Sequence, residues 1–319
     1  MDALVLGGGN IKGAYQAGVV SALLQAGYQP GILTGISVGA LNAGYVAGLT
    51  PIGTAPDWPA VGRELEQFWR ANVTSPRTFL RKRGFLSILW SLLTGRWNGL
   101  VDTEPLADVV RRELAARDPR KTAVTLRVGA VNIRTGDLIY VGAEEPRLVE
   151  YILASTAEPV GMPLRFVGQD AFYDGGLRDV APLKQATDLK ADNVVAVVCQ
   201  PEGVGPVEET FRLGDAFHLI SRVSGIVTNE IVRNDLEWFL EVNRYVRERP
   251  DHPLLAGKRF IPILVIRPKE AIKLNLEKFT PDDIARMIQQ GKDDAAREVR
   301  AAQSDPGHPG HELARRLRL

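Results

Sequence analysis

The chain has 319 residues, of which 45% are hydrophobic and 24% charged, with a formal net charge of +1. That composition excludes a disordered chain and offers no basic surplus for nucleic acid. A single cysteine, Cys199, allows no internal disulfide and no thiolate zinc site and fits a reducing compartment, so a cytoplasmic protein is expected.

In chain order, Met1-Asp2 runs at once into Ala3–Leu6, an apolar run stopped by Gly7-Gly8-Gly9, which predicts a buried strand rather than a secretory leader. Ile11 to Ala26 has apolar residues at helical spacing (Ala14, Ala17, Val20, Leu23, Leu24). Ile32–Gly35 predicts a second strand and Val38–Leu49 a helix of small residues. Strand, glycine loop, helix, strand, tight turn and helix make an α/β layout with right-handed crossovers. Pro51–Pro59 predicts a loop, and Val61–Arg70 and Pro105–Ala116 predict helices. Val124–Asn132 and Asp137–Val141 flank Arg134-Thr135-Gly136 as a β-hairpin. Leu148–Thr156, Pro182–Leu189 and Leu213–Val246 read as helices, and Asn193–Val198 and Phe260–Ile266 as strands. Thr280-Pro281-Asp282-Asp283 is a helix start signal for Thr280–Ala302. No linker is visible, so residues 1–303 are expected to form one domain, followed by a flexible tail over 304–319. No apolar run reaches the roughly 18 residues that a membrane-spanning helix needs.

Three stretches carry candidate chemistry. Gly35-Ile36-Ser37-Val38-Gly39, between a strand and a helix, has the form of a nucleophile elbow. Such a turn aims the serine hydroxyl outward and puts it at a helix N-terminus, where developing negative charge is favoured. A glycine-rich turn with a capping serine fits the same five residues. The second stretch, Gly7-Gly8-Gly9-Asn10-Ile11-Lys12-Gly13, presents backbone N–H groups to an anion. It fails as a phosphate P-loop, because Gly13-Ala14 follows Lys12 where Ser or Thr is needed. It is poor as a dinucleotide loop, because Gly13 comes one residue late and Gln29-Pro30-Gly31 supplies no acidic residue for a ribose. It fits an oxyanion hole, with Lys12 solvent-facing or an electrostatic helper. The third stretch, Tyr173-Asp174-Gly175-Gly176, taken alone reads as a turn.

In this order, the three stretches resemble the patatin-like phospholipase family, and the run from Ala154-Ser155-Thr156-Ala157-Glu158-Pro159 through Asp174-Gly175-Gly176 to the next strand extends the likeness. It covers about residues 3–49 and 150–200. The resemblance implies a three-layer α/β/α fold with a mostly parallel central sheet. It implies a serine lipid acyl hydrolase that cleaves phospholipids or lysophospholipids through an acyl-enzyme and uses neither cofactor nor metal. It implies a catalytic dyad of Ser37 and Asp174, with the amides of Gly8, Gly9 and Asn10 as oxyanion hole and Lys12, Gly13, Gly35, Gly39, Gly175 and Gly176 as supporting motif positions. The chain departs from the family at Asn10, where a glycine is usual. Asparagine tolerates positive φ better than other non-glycine residues. Which amides form the hole is therefore open.

Other readings remain at this stage. His218 is a rival base in a Ser…Asp…His order, although it falls in a helical pattern. Acyl transfer to an acceptor other than water, or general carboxylester hydrolysis, would use the same site. A non-enzymatic nucleotide- or phosphate-binding module would use the glycine loop alone. Between Glu66 and Asp102 no acidic residue occurs, while Arg70, Arg77, Arg81, Lys82, Arg83 and Arg96 alternate with Phe68, Trp69, Phe79, Phe85, Trp90 and Trp97. About residues 67–101 are thus expected to be either a lid or docking insertion at a peripheral membrane surface, or a buried helix with solvated arginines at its ends.

Overall fold

The computed structural model describes residues 1–319 apart from 208–210, 213 and 276–277. Its strands are β1 (Asp2–Leu6), β2 (Ile32–Ile36), β3 (Arg81–Lys82), β4 (Val101–Asp102), β5 (Thr125–Asn132), β6 (Leu138–Val141), β7 (Arg165–Val167), β8 (Asp170–Asp174), β9 (Asn193–Val197) and β10 (Ile263–Ile266). Its helices are α1 (Gly13–Gln25), α2 (Val38–Gly48), α3 (Trp58–Asn72), α4 (Pro76–Phe79), α5 (Phe85–Leu93), α6 (Glu104–Ala116), α7 (Leu148–Ser155), α8 (Leu183–Asp188), α9 (Ala216–Glu248), α10 (Pro281–Ser304) and α11 (His311–Ala314).

The main sheet runs in the order β10-β9-β1-β2-β5-β8-β7, with β6 also paired to β5. From β10 to β5 all pairs are parallel, whereas β6, β8 and β7 join antiparallel. Parallel strands covered on both faces must be apolar along their length, and β10 reads that way, as do β1 and β9 after their first residues Asp2 and Asn193. Leu4 and Leu6 pack into the layer holding α1, α2, α3, α6, α7 and α10. Ala3 and Val5 point to the opposite layer, with Leu183 and Ala186 of α8 and Val232 and Leu236 of α9. The result is the expected three-layer α/β/α arrangement. Helix α1 is buried on every side except at Gln25, as an apolar helix enclosed by others must be. It lies against α10 so closely that a Cβ on Gly18 would come within 1.9 Å of the Ile288 carbonyl oxygen.

One expectation is corrected here. The segment after α10 is not a frayed tail. Leu313, Ala314 and Leu317 are buried in the core, and Gln303 Nε2 donates to the carbonyls of Ala314 and Leu317, both at 3.0 Å. Three apolar residues at helical spacing give the last turn enough burial to offset its ordering entropy. The β7–β8 hairpin has no sequence signal, because Arg165–Val167 is too short and mixed to show a period.

Leu317→Ala is expected to cost about 2–5 kcal/mol of unfolding free energy. Urea denaturation followed by circular dichroism checks this. A change within about 0.5 kcal/mol, as for an exposed site, would mean that the tail does not dock.

Candidate active site

Two strands meet end to end along one edge of β5. Strand β2 runs parallel to β5 and ends with Ile36 paired to Gly129. Strand β8 runs antiparallel to β5 and ends with Asp174 paired to Ala130, one residue further on. Strand β6 pairs with Val128–Val131 and so overlaps both, which places it on the other edge. Ser37 is the residue after Ile36. The register therefore brings Ser37 and Asp174 together from opposite directions. Glycine is needed at the junction: a Cβ on Gly175 would lie 2.6 Å from the Gly129 carbonyl oxygen.

Ser37 itself carries the strain of the turn, at φ 57 and ψ −130. A non-glycine residue there costs on the order of 1–3 kcal/mol and must be held by its surroundings. Its N–H donates to Ser155 Oγ at 2.8 Å, and its carbonyl accepts from Ala40 N–H at 2.9 Å. The flanking glycines serve space rather than φ. A Cβ on Gly39 would sit 2.0 Å from the Leu6 carbonyl oxygen, and one on Gly35 would sit 2.4 Å from the carbonyl oxygen of Gly39.

Asp174 is buried and accepts at Oδ1 from the Gly176 N–H at 2.7 Å. The Ser37 hydroxyl lies near the same carboxylate and favours its charged form. Burial pushes the carboxyl up to about 7; Ser37 and Gly176 pull it down, and the charge of Glu158 pushes it up. A carboxylate with that affinity for protons is a far better base than an exposed aspartate near 3.9. His218 is not part of this group. Its Nδ1 accepts from the Arg212 N–H at 3.1 Å and its ring stacks on Phe211.

The glycine loop corrects one expectation. The Gly8 N–H is already committed to the Val180 carbonyl at 3.0 Å, and that of Gly7 to the Val197 carbonyl at 2.9 Å. Gly8 still matters, because a Cβ there would lie 3.2 Å from Ser37 Cβ. Among the described residues the N–H groups of Gly9 and Asn10 have no acceptor, and neither has that of Val38, the first residue of α2. Asn10 does adopt positive φ, at 55, with Oδ1 accepting from Ile11 N–H at 2.8 Å and Nδ2 donating to Glu158 Oε2 at 3.3 Å. Burial raises the pKa of Glu158, while Ser224 of α9 and Asn10 favour its charged form.

Lys12 is half-buried rather than solvent-facing, and burial lowers its pKa. Gly13 is pressed between α2 and α3: a Cβ there would lie 2.2 Å from Val38 Cγ2 and 2.3 Å from Trp69 Cζ2. Behind the loop runs a buried polar chain. Trp69 Nε1 donates to Asn42 Oδ1 at 2.9 Å, Asn42 Nδ2 to Gln16 Oε1 at 2.9 Å, and Gln16 Nε2 to the Gly7 carbonyl at 3.1 Å. Gln200 Nε2 fixes the Gly8 carbonyl at 3.0 Å. Ser155, Glu158, Gln200 and Val38 were given no role from the sequence. For Ser155 and Glu158 a signal existed, since both lie in the Ala154–Pro159 run.

A carbon-13 NMR titration of the Asp174 carboxyl is expected to show a midpoint near 7. Ser37 favours the charged form, so Ser37→Ala should move that midpoint upward. A midpoint near 4 would mean that the carboxylate is not dry, and no shift in the variant would mean that Ser37 does not act on it.

Comparison with known proteins bears on this geometry. A crystal structure of VipD from Legionella pneumophila is similar over 94% of this chain and 67% of that one, with 14% sequence identity and a TM-score of 0.44, a likeness too distant to carry an argument about the site. No curated protein matches the chain. The family model for patatin-like phospholipases matches residues 4–187, which hold the glycine loop, the serine turn and the Asp-Gly-Gly turn. The chain belongs to the patatin-like phospholipase family.

Proposed function

We propose that the protein is a serine lipid acyl hydrolase that cleaves fatty-acyl esters of phospholipids or lysophospholipids, with Ser37 as nucleophile and Asp174 as its base. Family membership implies lipid hydrolase activity; the finer reading rests on one observation, the strand register that sets Ser37 beside the buried carboxylate of Asp174.

As Asp174 takes the hydroxyl proton, Ser37 Oγ bonds to the ester carbonyl carbon and the carbonyl electrons move to oxygen. The free amides of Gly9, Asn10 and Val38 are the candidates to receive that oxyanion, each such donor being worth about 100- to 1000-fold in rate. When the tetrahedral intermediate collapses, the ester C–O bond breaks and Asp174 returns its proton to the leaving alcohol. Water then attacks the acyl-serine with its proton passing to Asp174. A second collapse breaks the Oγ–C bond, gives that proton back to Ser37 and releases the fatty acid. The commitment of the Gly7 and Gly8 amides supports this use of the loop over a phosphate cradle, which needs a run of free N–H groups. Because such lipids reside in bilayers, the enzyme would act peripherally at a membrane surface. Among the described residues no helix is long and apolar enough to cross one.

Hydrolysis of a lipid panel by wild type, Ser37→Ala and Asp174→Asn tests the reading. Ser37→Ala should fall to background, and Asp174→Asn should lose about 100- to 10,000-fold. Near-full activity in Asp174→Asn would remove the dyad.

A further inference from the structure

Helix α5 is packed the wrong way round for a helix of a folded core. Its nine residues read Phe-Leu-Ser-Ile-Leu-Trp-Ser-Leu-Leu, and the one buried residue is the polar Ser91. Phe85 is 76% exposed, Leu86 78%, Trp90 69% and Leu93 73%, with Leu89 and Leu92 exposed as well. Of the two expectations for this segment, a buried helix therefore does not hold. Large side chains of this kind are usually inside, and a contiguous exposed group of them marks a surface that something else covers.

The helix is held out by a defined frame. Strands β3 and β4 pair at its base, Arg81 with Asp102 and Lys82 with Val101. Arg83 donates to the Asn98 carbonyl at 2.7 Å and to Ser87 Oγ at 2.8 Å, closing the hairpin. The N–H groups of Leu100 and Val101 both donate to the Gly161 carbonyl, at 2.8 and 3.1 Å. Gly161 lies three residues after Glu158, which touches the Asn10 loop. Between them Val160 is exposed and sits at φ 66, a strained conformation for a β-branched residue. Ser224, which favours the charged form of Glu158, stands in an α9 segment whose Leu219, Val223, Ile226 and Val227 are exposed. Leu177, two residues after Gly175, is exposed too. Exposed apolar residues thus cluster on the elements joined to the candidate site.

The charge around α5 selects the occupant. Arg77, Arg81 and Arg96 are exposed, and no acidic residue occurs from 67 to 101. Apolar and indole side chains bordered by cations match a bilayer interface with anionic headgroups, where rings and leucines sit at the acyl boundary and arginines meet phosphates. A second copy of this chain would bring the same cations face to face.

We propose that α5 is an interfacial anchor that seats the protein on anionic phospholipid membranes with the mouth of the site toward the lipid. This rests on the acyl hydrolase reading only for the use made of the bound surface, and the test separates the two. Cosedimentation with vesicles of phosphatidylglycerol and phosphatidylcholine, with Ser37→Ala so that lipid is not consumed, should show binding that weakens with salt and without phosphatidylglycerol. Adding Trp90→Glu and Leu93→Glu should weaken it at least tenfold. On the wild-type background the same pair should leave hydrolysis of a soluble short-chain p-nitrophenyl ester unchanged, since exposed substitutions leave the fold intact. No vesicle binding, or binding untouched by the pair, would overturn the anchor whatever the esterase result. A wild-type dimer that becomes monomeric in the pair, with vesicle binding unchanged, would give the face to a second copy instead. Vesicle binding without ester hydrolysis would keep the anchor and remove the hydrolase reading.

Discussion

The candidate site depends on two strands ending head to head on adjacent residues of β5. Gly129 takes the end of β2 and Ala130 takes the end of β8. Hydrogen-bonded register is set to one residue, because a slip by one would send every side chain to the other face. Ser37 and Asp174 are therefore placed by the backbone ladder, not by their own attraction. That placement is useful for a proposed two-residue catalyst. It allows a carboxylate to be held dry, where its charge is unfavourable, because the pairing of its strand fixes it there.

The rest of the neighbourhood keeps space clear and backbone groups aimed. Glycines at 35, 39 and 175 let strand ends and helix starts approach closer than any side chain would allow. Strain at Ser37 is held by Ser155 from below. The glycine loop is fixed through its carbonyls by Gln16 and Gln200, and the chain from Gln16 to Asn42 and Trp69 carries that restraint into α3. With only the amides of Gly9 and Asn10 left free among the described residues of the loop, it has a limited and directed capacity for negative charge. Asn10, the departure from the usual glycine, keeps the left-handed backbone by bonding to the next amide and to Glu158.

Much of this was legible in the sequence, for physical reasons. The first strands are short apolar runs ending at glycine, α1 has a clear period and α10 a clear start signal, so an α/β layout could be read directly, while its three layers came from the family resemblance. Ser37 stood out because a tight turn between a strand and a helix needs glycine, whereas Asp174 alone read as a turn residue and drew its role from the family resemblance. What could not be read is tertiary. The committed amide of Gly8 depends on where Val180 passes, and the half-burial of Lys12 depends on what surrounds it. The docked tail was missed because its apolar residues are sparse between Pro, Gly and Arg. Composition alone left α5 equally open to burial and exposure, and only its packing separates the two.

The central claim is that Asp174 alone activates Ser37. The rate at which a fluorophosphonate labels Ser37, followed from pH 5 to pH 9, tests it most directly, since the reagent needs no lipid surface. The rate should rise with pH through a midpoint near 7 in the wild type, as Asp174 loses its proton. In Asp174→Asn it should be slow and flat across the same range. Labelling in Asp174→Asn that matches the wild type in rate and pH dependence would contradict the claim.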